Sequence, residues 1–391
     1  MTHVRTLSFG ELVGNIFEPG SPNFLRSELD DLLRTSPWSF DAGTEPVFSK
    51  LPSTIYFSTS GSTGRPKVIA KTLRQVDLEV AAVSGCMPAP PNEVISFAPA
   101  NHAFGFFCGL ALALRHGIPY QYRPISSGIG PSNQSERNLL IVALPAAYKA
   151  IERDRYKLSG NEHTTILQSG GPISTAYVDT VVDMANLAVD GVEIYGSTEA
   201  GAIAHRRTSS FPNDWELLSD VEILPNRPEA NLLTELIVSG PRCVQSRTAS
   251  AEAIVNELPH VRTGDLVRFT GERQFTLCGR LDRVIQINGA NTDLDFLQEF
   301  LNRRFSQAEF YVAAASDTLR GAGFVVYFHC RGSRFVIQQL WREIGRALHE
   351  EFPRNVYPLE IHYSSSPFRK SSVGKITGIL PAAVSNRVDV A

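Results

Sequence analysis

The chain has 391 residues, of which 43% are hydrophobic and 20% are charged, and its formal net charge is −3. A chain of this length and composition is expected to fold into two or more domains with hydrophobic cores, which excludes a largely disordered protein. Because the charge is nearly balanced and no long basic run occurs, nucleic acid and an anionic membrane are not expected as partners.

The N-terminal residues lack the apolar segment of a signal peptide, and no apolar stretch reaches the length of a membrane span. The cysteines are odd in number, widely spaced and without a C-x-x-C pair, which argues against a disulfide framework and a zinc site. We therefore expect a cytoplasmic protein whose cysteines are reduced and buried.

Short apolar runs alternate with helix-like segments in the first half of the chain. The runs that we predict to be strands are Val94–Phe97, Leu139–Leu144, Thr165–Leu167 and Val192–Tyr195. The predicted helices are Leu73–Val83, Phe106–Arg115, Ala146–Arg155 and Thr175–Leu187. This alternation predicts an α/β fold with a mostly parallel sheet, in which ligands bind beyond the carboxyl ends of the strands.

From Leu232 the pattern changes to hairpin-like segments, namely Thr234–Ser239, Leu266–Thr270 and Gln274–Cys278. A compact pattern follows Gly289: helix Leu294–Phe305, strands Ala308–Ala314 and Phe324–Cys330, helix Phe335–Phe352 and strand Leu359–Tyr363. We predict a large domain of layered α/β sheets with a β-rich portion over residues 1–281, and a small α+β domain over residues 282–391.

The stretch Ser58–Lys67 has the composition of a polyphosphate-binding loop. It holds five hydroxyl side chains, two glycines and one lysine, and it directly follows the β-like run Thr54–Phe57. Glycines let backbone N–H groups approach anionic oxygens, hydroxyls donate to them, and the lysine adds positive charge. The spacing does not fit a Walker P-loop, because Val68 follows the lysine. Taken alone, the run is equally compatible with a flexible surface loop.

Four further motifs follow the loop in order: Tyr195–Glu199, Thr263–Asp265, Gly279–Arg283 and Gly374–Ile376. The ordered set resembles the acyl-adenylate-forming superfamily, which includes acyl-CoA and aryl-CoA synthetases, nonribosomal peptide adenylation domains and luciferases. The resemblance spans about residues 54–380, and five ordered motifs are far more specific than any one of them. Relatives carry a longer N-terminal region, so we expect part of the large domain to be shortened.

The resemblance implies that a carboxylate attacks the α-phosphorus of ATP, which gives an acyl-adenylate and pyrophosphate. Positioning and charge neutralisation dominate such a step. It also implies a hinge near Asp282 and a mobile small domain that carries the catalytic Lys375. Without the resemblance, the segment around Lys375 would be interpreted as a solvated basic loop. The implied phosphate-binding residues are Thr59, Ser60, Gly61, Ser62, Thr63, Gly64 and Lys67.

The same resemblance assigns the remaining nucleotide contacts. Glu199 would bind Mg²⁺ and Thr198 would hydrogen-bond the α-phosphate, although an ordinary surface acid is the simpler interpretation of Glu199. The residues implied to bind adenine and ribose are Tyr195, Gly196, Asp265 and Arg280, with Arg280 as the arginine partner of the ribose-binding Asp265. A tyrosine that ends a strand is more often a core residue, and a Gly-Asp pair is common in turns.

The motif Asn101–Phe107 falls where the family has its acyl pocket, and Ser169–Pro172 resembles the opposite wall. The implied pocket residues are His102, Phe104, Gly105, Phe106, Gly170 and Gly171. The aspartate that amino-acid-activating members use is not evident, so an amino acid is disfavoured. Aromatic side chains and glycines favour an aromatic or arylalkenoic acid over a fatty acid, but the same residues would also pack a helix against a sheet.

The acyl acceptor would be the thiol of CoA or of a carrier protein's phosphopantetheine, and the sequence separates these poorly. Two details differ from common CoA ligases: Gln286 stands where those enzymes frequently have a lysine, and Thr292–Leu297 stands where they have a Pro-containing, Glu-rich run. Together with the shortened N-terminal region, these departures leave a second hypothesis, a catalytically degenerate adenylate-binding or scaffolding protein. The joint presence of Lys67, Glu199, Asp265 and Lys375 speaks against it. An oxygen-using, luciferase-like activity has no supporting feature.

Overall fold

The chain forms two compact units, which are described separately. The structure is a computed structural model that describes residues 4–26, 31–41, 43, 47–60, 66–130, 137–169, 178, 181–208, 214–224, 233–244, 247–248, 260–287, 290–317, 321–352, 356–370, 376–378 and 384–385. The first unit comprises Met1–Leu232, Ile237–Thr263 and Phe269–Thr276. The second comprises Leu233–Leu236, Gly264–Arg268 and Leu277–Ala391.

A large mixed sheet dominates the described strands. Its strands, in spatial order, are Arg5–Thr6, Trp38–Phe40, Tyr120–Tyr122, Glu93–Ser96, Asn138–Ala143, His163–Gln168, Val189–Ser197, Gly201–Arg207, Trp215–Leu217, Gln274–Arg280, Val261–Phe269, Leu233–Ser239 and Glu222–Leu224. The strands from Tyr120–Tyr122 to Val189–Ser197 pair in parallel, whereas the pairs from Val189–Ser197 to Gln274–Arg280 are antiparallel. The expectation of a mostly parallel sheet therefore holds for the centre only.

The central parallel strands are buried on both faces. Residues 139–143 are buried without interruption, as expected for a strand covered on both sides. Ile141 packs with Ile95 and Ile166 of the neighbouring strands and with Ile151 of a covering helix. The predicted α/β fold class is confirmed.

Several helices surround the sheets of the first unit. Their bounds are Phe9–Ile16, Asp31–Thr35, Leu73–Gly85, Ala103–Gly105, Leu112–His116 and Tyr148–Arg153, with a π-helical stretch at Phe106–Ala111. Short 3₁₀ turns occupy Phe48–Lys50, Ile125–Ser127, Pro145–Ala147, Arg155–Leu158 and Ala185–Leu187. The predicted helix Ala146–Arg155 is thus broken into three pieces, and most of the predicted helix Thr175–Leu187 lies outside the described residues.

A second sheet of the first unit carries the ends of the stretch Ser58–Lys67, which we call the phosphate loop. Its strands, in order, are Arg247–Thr248, Pro66–Thr72, Thr54–Ser60, Ser21–Leu25 and Phe17–Glu18. Thr54–Ser60 and Pro66–Thr72 form an antiparallel hairpin. A capping box between Thr72 and Gln75 then starts the helix Leu73–Gly85 directly after the hairpin. The phosphate loop and the Tyr195–Glu199 motif therefore follow strands of two different sheets. They do not lie at one edge of a single sheet.

The second unit contains the predicted α+β pattern. Its strands form the pairs Val284–Ile287 with Ala290–Asp293 and Arg369–Lys370 with Ile376–Gly378, and the sheet Ala308–Asp317, Gly321–Cys330, Glu360–Ser364 and Val384–Ser385. Its helices are Leu294–Arg304 and Arg334–Glu351, and a 3₁₀ turn spans Leu281–Arg283. Leu301, Phe310, Phe328 and Ile344 form the centre of its core. The domain boundary at Asp282 stays a prediction.

The burial of the cysteines agrees in part with the prediction that all of them are reduced and buried. All five are free, and four are buried, whereas Cys278 is half-buried. Burial raises the pKa of Cys86 to about 12, so that thiol is protonated at neutral pH.

Among the described helices, none combines the length and apolar character that a membrane crossing needs.

Candidate active site

The phosphate loop lies at the turn of the hairpin. Thr59 is the cross-strand partner of Lys67, and Ser60 that of Pro66, so the loop leaves and re-enters one tight β-ribbon. Residues 61–65, which include Gly61, Ser62, Thr63 and Gly64, lie outside the described residues, and so do the side chains of Thr59, Ser60 and Lys67. The register fixes where the loop is anchored, and the phosphate-binding roles stay predictions.

The Tyr195–Glu199 motif ends in a second tight hairpin. Ser197 pairs with Gly201, so Thr198, Glu199 and Ala200 form a three-residue turn, with Gly201 at φ +76° as its left-handed residue. A Cβ on Gly196 would lie 2.2 Å from the Gly201 carbonyl oxygen, so only glycine fits there. The hairpin presents half-buried Thr198 and Glu199 at its tip, and Gly196 has a structural reason independent of any ligand.

A cluster of four charged side chains lies beneath this turn, of which three are buried and Asp220 is half-buried. We call Lys71, Glu79, Asp220 and Arg242 the buried charge cluster. Arg242 donates from Nη1 to Glu79 Oε2 at 2.7 Å and from Nε and Nη2 to the two carboxylate oxygens of Asp220, each at 2.7 Å. Lys71 Nζ donates to the backbone carbonyl of Glu199 at 2.9 Å and to that of Arg242. The cluster contains two cations and two anions, so its charge is balanced.

The buried charge cluster also holds the far end of the turn. Glu79 Oε1 accepts the backbone N–H of Ala202 at 2.7 Å, and a Cβ on Gly201 would lie 2.0 Å from Glu79 Oε2. Lys71 is only 2% exposed, and burial lowers its pKa to about 8 although Glu79 opposes this shift. Sequence reasoning missed these residues. Lys71 and Glu79 are buried charged residues, and local sequence pattern does not mark them as neighbours in space.

Tyr195 lies among aromatic side chains. Its ring centroid is 5.6 Å from that of Trp215 and 6.0 Å from that of Phe275. On the same strand, buried Glu193 accepts a hydrogen bond from Arg206 Nε at 2.5 Å, and the Arg206 guanidinium lies 4.3 Å from the centre of the Trp215 ring. Burial raises the pKa of Glu193 to about 7 despite this ion pair. These contacts explain the position of Tyr195 as a packing residue, and its contact with adenine stays a prediction.

Asp265 and Arg280, both of the second unit, are brought together as the resemblance implied. Arg280 Nη1 donates to Asp265 Oδ1 at 2.7 Å, and the two side chains are 38% and 16% exposed. Gly264 precedes the aspartate at φ +73°, and Gly279 precedes the arginine at φ +117° beside Asp293. Each glycine therefore permits a backbone conformation that other residues rarely adopt.

The acyl-pocket motif of the first unit divides into a buried and an accessible part. Phe106 is fully buried, with its ring 5.8 Å from Phe57, whereas His102 and Phe104 are half-buried. A Cβ on Gly105 would lie 2.2 Å from the Pro99 carbonyl oxygen, so this glycine allows the helix to approach the preceding loop. Burial lowers the pKa of His102, which favours a neutral imidazole at pH 7. The π-helical stretch starts at Phe106, and such stretches often occur at functional sites.

The remaining predicted residues lie outside the described residues. These are Gly170, Gly171 and the catalytic candidate Lys375. The structure therefore neither supports nor opposes their roles.

The described side chains fit a magnesium ion held chiefly by a bound nucleotide. Within the described part of the chain no group of three His, Cys, Asp or Glu side chains could form a protein-only metal site. The Glu199 carboxylate is half-buried at a hairpin tip and accepts no hydrogen bond from a described side chain. One carboxylate together with phosphate oxygens and water is the ligand set that Mg²⁺ commonly takes.

Known proteins with similar sequences or folds are consistent with this site. Residues 35–226 match the model of the family described as AMP-binding enzyme. The chain is 27% identical over 248 residues to 4-coumarate–CoA ligase of Halorhodospira halophila, covering 62% of this chain and 55% of the relative. It is 23% identical over 242 residues to 3,4-dihydroxybenzoate–[aryl-carrier protein] ligase of Bacillus anthracis, covering 61% and 53%. The chain thus spans about half the length of these curated relatives.

The fold is shared with a solved structure. O-succinylbenzoate CoA synthetase of Bacillus subtilis, in complex with ATP and magnesium ion, superposes with a TM-score of 0.65 at 18% identity, covering 82% of this chain and 68% of that one. At this identity the likeness shows a shared fold. The resemblance to AMP-forming ligases that the motifs predicted is confirmed by these comparisons.

Proposed function

We propose that the chain is an AMP-forming acid–thiol ligase. It uses ATP and Mg²⁺ to convert a carboxylic acid into an acyl-adenylate, and it then transfers the acyl group to a thiol. One observation carries this proposal: the range that matches the AMP-binding family contains both the phosphate loop and the hairpin that presents Thr198 and Glu199. The residue roles below rest on the motif resemblance and on the positions described above.

The chemistry requires two anions, a carboxylate and a triphosphate, to approach each other. Backbone N–H groups and hydroxyls of the loop, together with Lys67, would bind the phosphates, and Thr198 would donate to the α-phosphate. Glu199 would hold the Mg²⁺, which supplies neutralisation of phosphate charge when it is bound. Lys375 would stabilise the negative charge that develops as pyrophosphate leaves. Positioning and charge neutralisation are sufficient for such a step, and no strong base is needed.

Asp265 would bind the ribose. A carboxylate accepts hydrogen bonds from two adjacent hydroxyls, and the Arg280 guanidinium at 2.7 Å keeps this carboxylate oriented. Tyr195 and Gly196 would lie along the adenine. The pair Asp265–Arg280 is half accessible, as a ligand-binding pair has to be.

An aromatic or arylalkenoic acid is the substrate class that the residues favour. Half-buried His102 and Phe104 at the start of a helix offer an apolar, aromatic surface, and the imidazole is neutral. The names of two relatives, a 4-coumarate ligase and a 3,4-dihydroxybenzoate ligase, point the same way. A fatty acid is the alternative substrate.

Either CoA or a carrier protein's phosphopantetheine would accept the acyl group. The two relatives differ in this respect, since one is named for CoA and the other for an aryl-carrier protein. Both acceptors present the same thiol, so the distinction is one for experiment.

Pyrophosphate release from ATP and Mg²⁺ tests the proposal. The full chain is incubated with a panel of aromatic, arylalkenoic, fatty and amino acids, each with and without CoA. We expect release with aromatic or arylalkenoic acids. Stimulation by CoA would identify a CoA ligase, whereas release without stimulation would favour carrier-protein loading. ATP binding with no release for any acid would support the degenerate adenylate-binding protein instead.

A further inference from the structure

Lys71 has no role in the proposed chemistry, yet its position is unusual. It lies four residues beyond Lys67 on the strand Pro66–Thr72, roughly 13 Å farther along the chain. A lysine that is 98% buried is rare, because its ammonium group must be desolvated. Such a residue is retained only where its hydrogen bonds are specific.

The hydrogen bonds of Lys71 join three segments of the first unit. Its ammonium donates to the carbonyl of Glu199, in the turn, and to the carbonyl of Arg242, in the segment that follows the strand Leu233–Ser239. The Glu199 carbonyl also accepts the backbone N–H of Val244 at 3.0 Å. The peptide unit that follows the proposed magnesium ligand is therefore held by two donors from two different segments.

The rest of the buried charge cluster fixes the same turn from its other side. Glu79 binds the N–H of Ala202, and Arg242 holds Glu79 in place. Charge balance makes the four side chains interdependent, because loss of Lys71 leaves two carboxylates against one guanidinium. A turn exposed to solvent would not need this arrangement, because water would form hydrogen bonds with its backbone N–H and C=O groups.

From this geometry we infer that Lys71 is a positioning residue, which fixes the Thr198–Glu199 turn relative to the strand that carries the phosphate loop. This inference rests on the proposed function for its catalytic consequence, but its structural part stands independently. The ammonium holds the Glu199 backbone, and the carboxylate is thereby presented to a nucleotide-bound Mg²⁺. A neutral apolar residue of similar length would fill the space without holding the turn.

Three variants test the role. Lys71→Met removes charge and donors while keeping volume, Lys71→Gln keeps an amide donor, and Ile69→Ala is the matched control. Ile69 is fully buried on the same strand and has no contact with the turn among its described hydrogen bonds. Overall stability is not the readout, because replacing a buried charge by an apolar residue changes it in either direction.

The first measurement is amide hydrogen exchange of the ligand-free chain. We expect the Val244 and Ala202 amides to exchange about tenfold faster or more in Lys71→Met, with partial recovery in Lys71→Gln and little change in Ile69→Ala. Unchanged exchange at both amides in Lys71→Met would overturn the inference, whatever the protein's activity.

The second measurement is the affinity for ATP by calorimetry, with Mg²⁺ and with EDTA. We expect Lys71→Met to lose about tenfold in the Mg²⁺-dependent affinity and much less without the metal. An equal loss in both conditions would show a general structural role and would overturn the inference. If the wild-type chain binds no ATP in either condition, the proposed function fails, and hydrogen exchange alone decides the role of Lys71.

Discussion

The two polar constellations of this chain are built in contrasting ways. The Thr198–Glu199 turn rests on the buried charge cluster, whose Arg242 side chain is 2% exposed, whereas the Asp265–Arg280 pair is reached by solvent, with Arg280 38% exposed. In the first case, buried charges hold backbone atoms. In the second, the exposed Arg280 side chain orients the half-buried Asp265 carboxylate. The contrast predicts that the residues with the largest effect on stability do not touch the ligand, and that residues with a large effect on binding contribute little to folding.

Arg242→Met tests the stronger side of this contrast. The substitution leaves the buried Glu79 carboxylate without its guanidinium partner and removes both hydrogen bonds to Asp220. We therefore expect the free energy of unfolding to fall by about 3–5 kcal/mol. Arg280→Met is the matched control. Because the Arg280 side chain is exposed and its ion pair is partly screened by solvent, this variant should lose no more than about 1 kcal/mol. Equal losses in denaturant unfolding would contradict the distinction.

Glu193→Gln sharpens the comparison through pH. The folded-state pKa of Glu193, about 7, exceeds its ordinary value of 4.5, so the folded chain binds the proton more tightly than the unfolded chain. Wild-type stability therefore falls as pH rises from about 5 to 8, relative to the variant, by at most about 3 kcal/mol. Exposed Glu216→Gln serves as the control for the amide substitution itself. A pH-independent difference between wild type and Glu193→Gln would refute the shift.

Gly196→Ala probes the geometry of the hairpin itself. A Cβ there meets backbone at 2.2 Å, which cannot move away as a flexible side chain would, so we expect a loss of roughly 2 kcal/mol in thermal unfolding. Gly10→Ala serves as control, since nothing lies within 4 Å of its Cβ position in a helix. A gain of roughly 0.5 kcal/mol is expected for that control. A tolerated Gly196→Ala would show that the hairpin is looser than described.

Asp265→Asn should separate binding from stability. We expect about tenfold weaker binding of ATP, or about 1.4 kcal/mol, with a small change in melting temperature, because the ion pair that is lost is partly exposed to solvent. Asp31→Asn, which breaks the exposed pair with Arg34, should change neither quantity appreciably. Unaltered ATP affinity in Asp265→Asn would remove the ribose-binding role.

The sequence predicted the elements better than it predicted their connections. Apolar runs marked the central strands, and motif order placed Thr198 and Glu199 at a strand end, because local pattern controls both. It did not predict that Pro66–Thr72 turns back on Thr54–Ser60, since antiparallel pairing depends on partners distant in sequence.

The buried charge cluster was unpredictable for a similar reason. Lys71 and Arg242 are 171 residues apart, and Glu79 looks like an ordinary polar helix residue until the turn near Gly201 is folded against it. Asp265 and Arg280 were paired correctly only because the resemblance linked them. Local sequence pattern offered no independent signal for that pair.

Carboxylate-dependent exchange of labelled pyrophosphate into ATP tests the central claim most directly, measured for the wild type, Glu199→Gln and Lys375→Ala. The account predicts exchange with an aromatic or arylalkenoic acid in the wild type. Exchange should be about a hundredfold slower or more in Lys375→Ala, since losing one preorganised donor costs about 3 kcal/mol, and clearly slower in Glu199→Gln. Absence of exchange with every acid, or exchange that neither substitution slows, would contradict it.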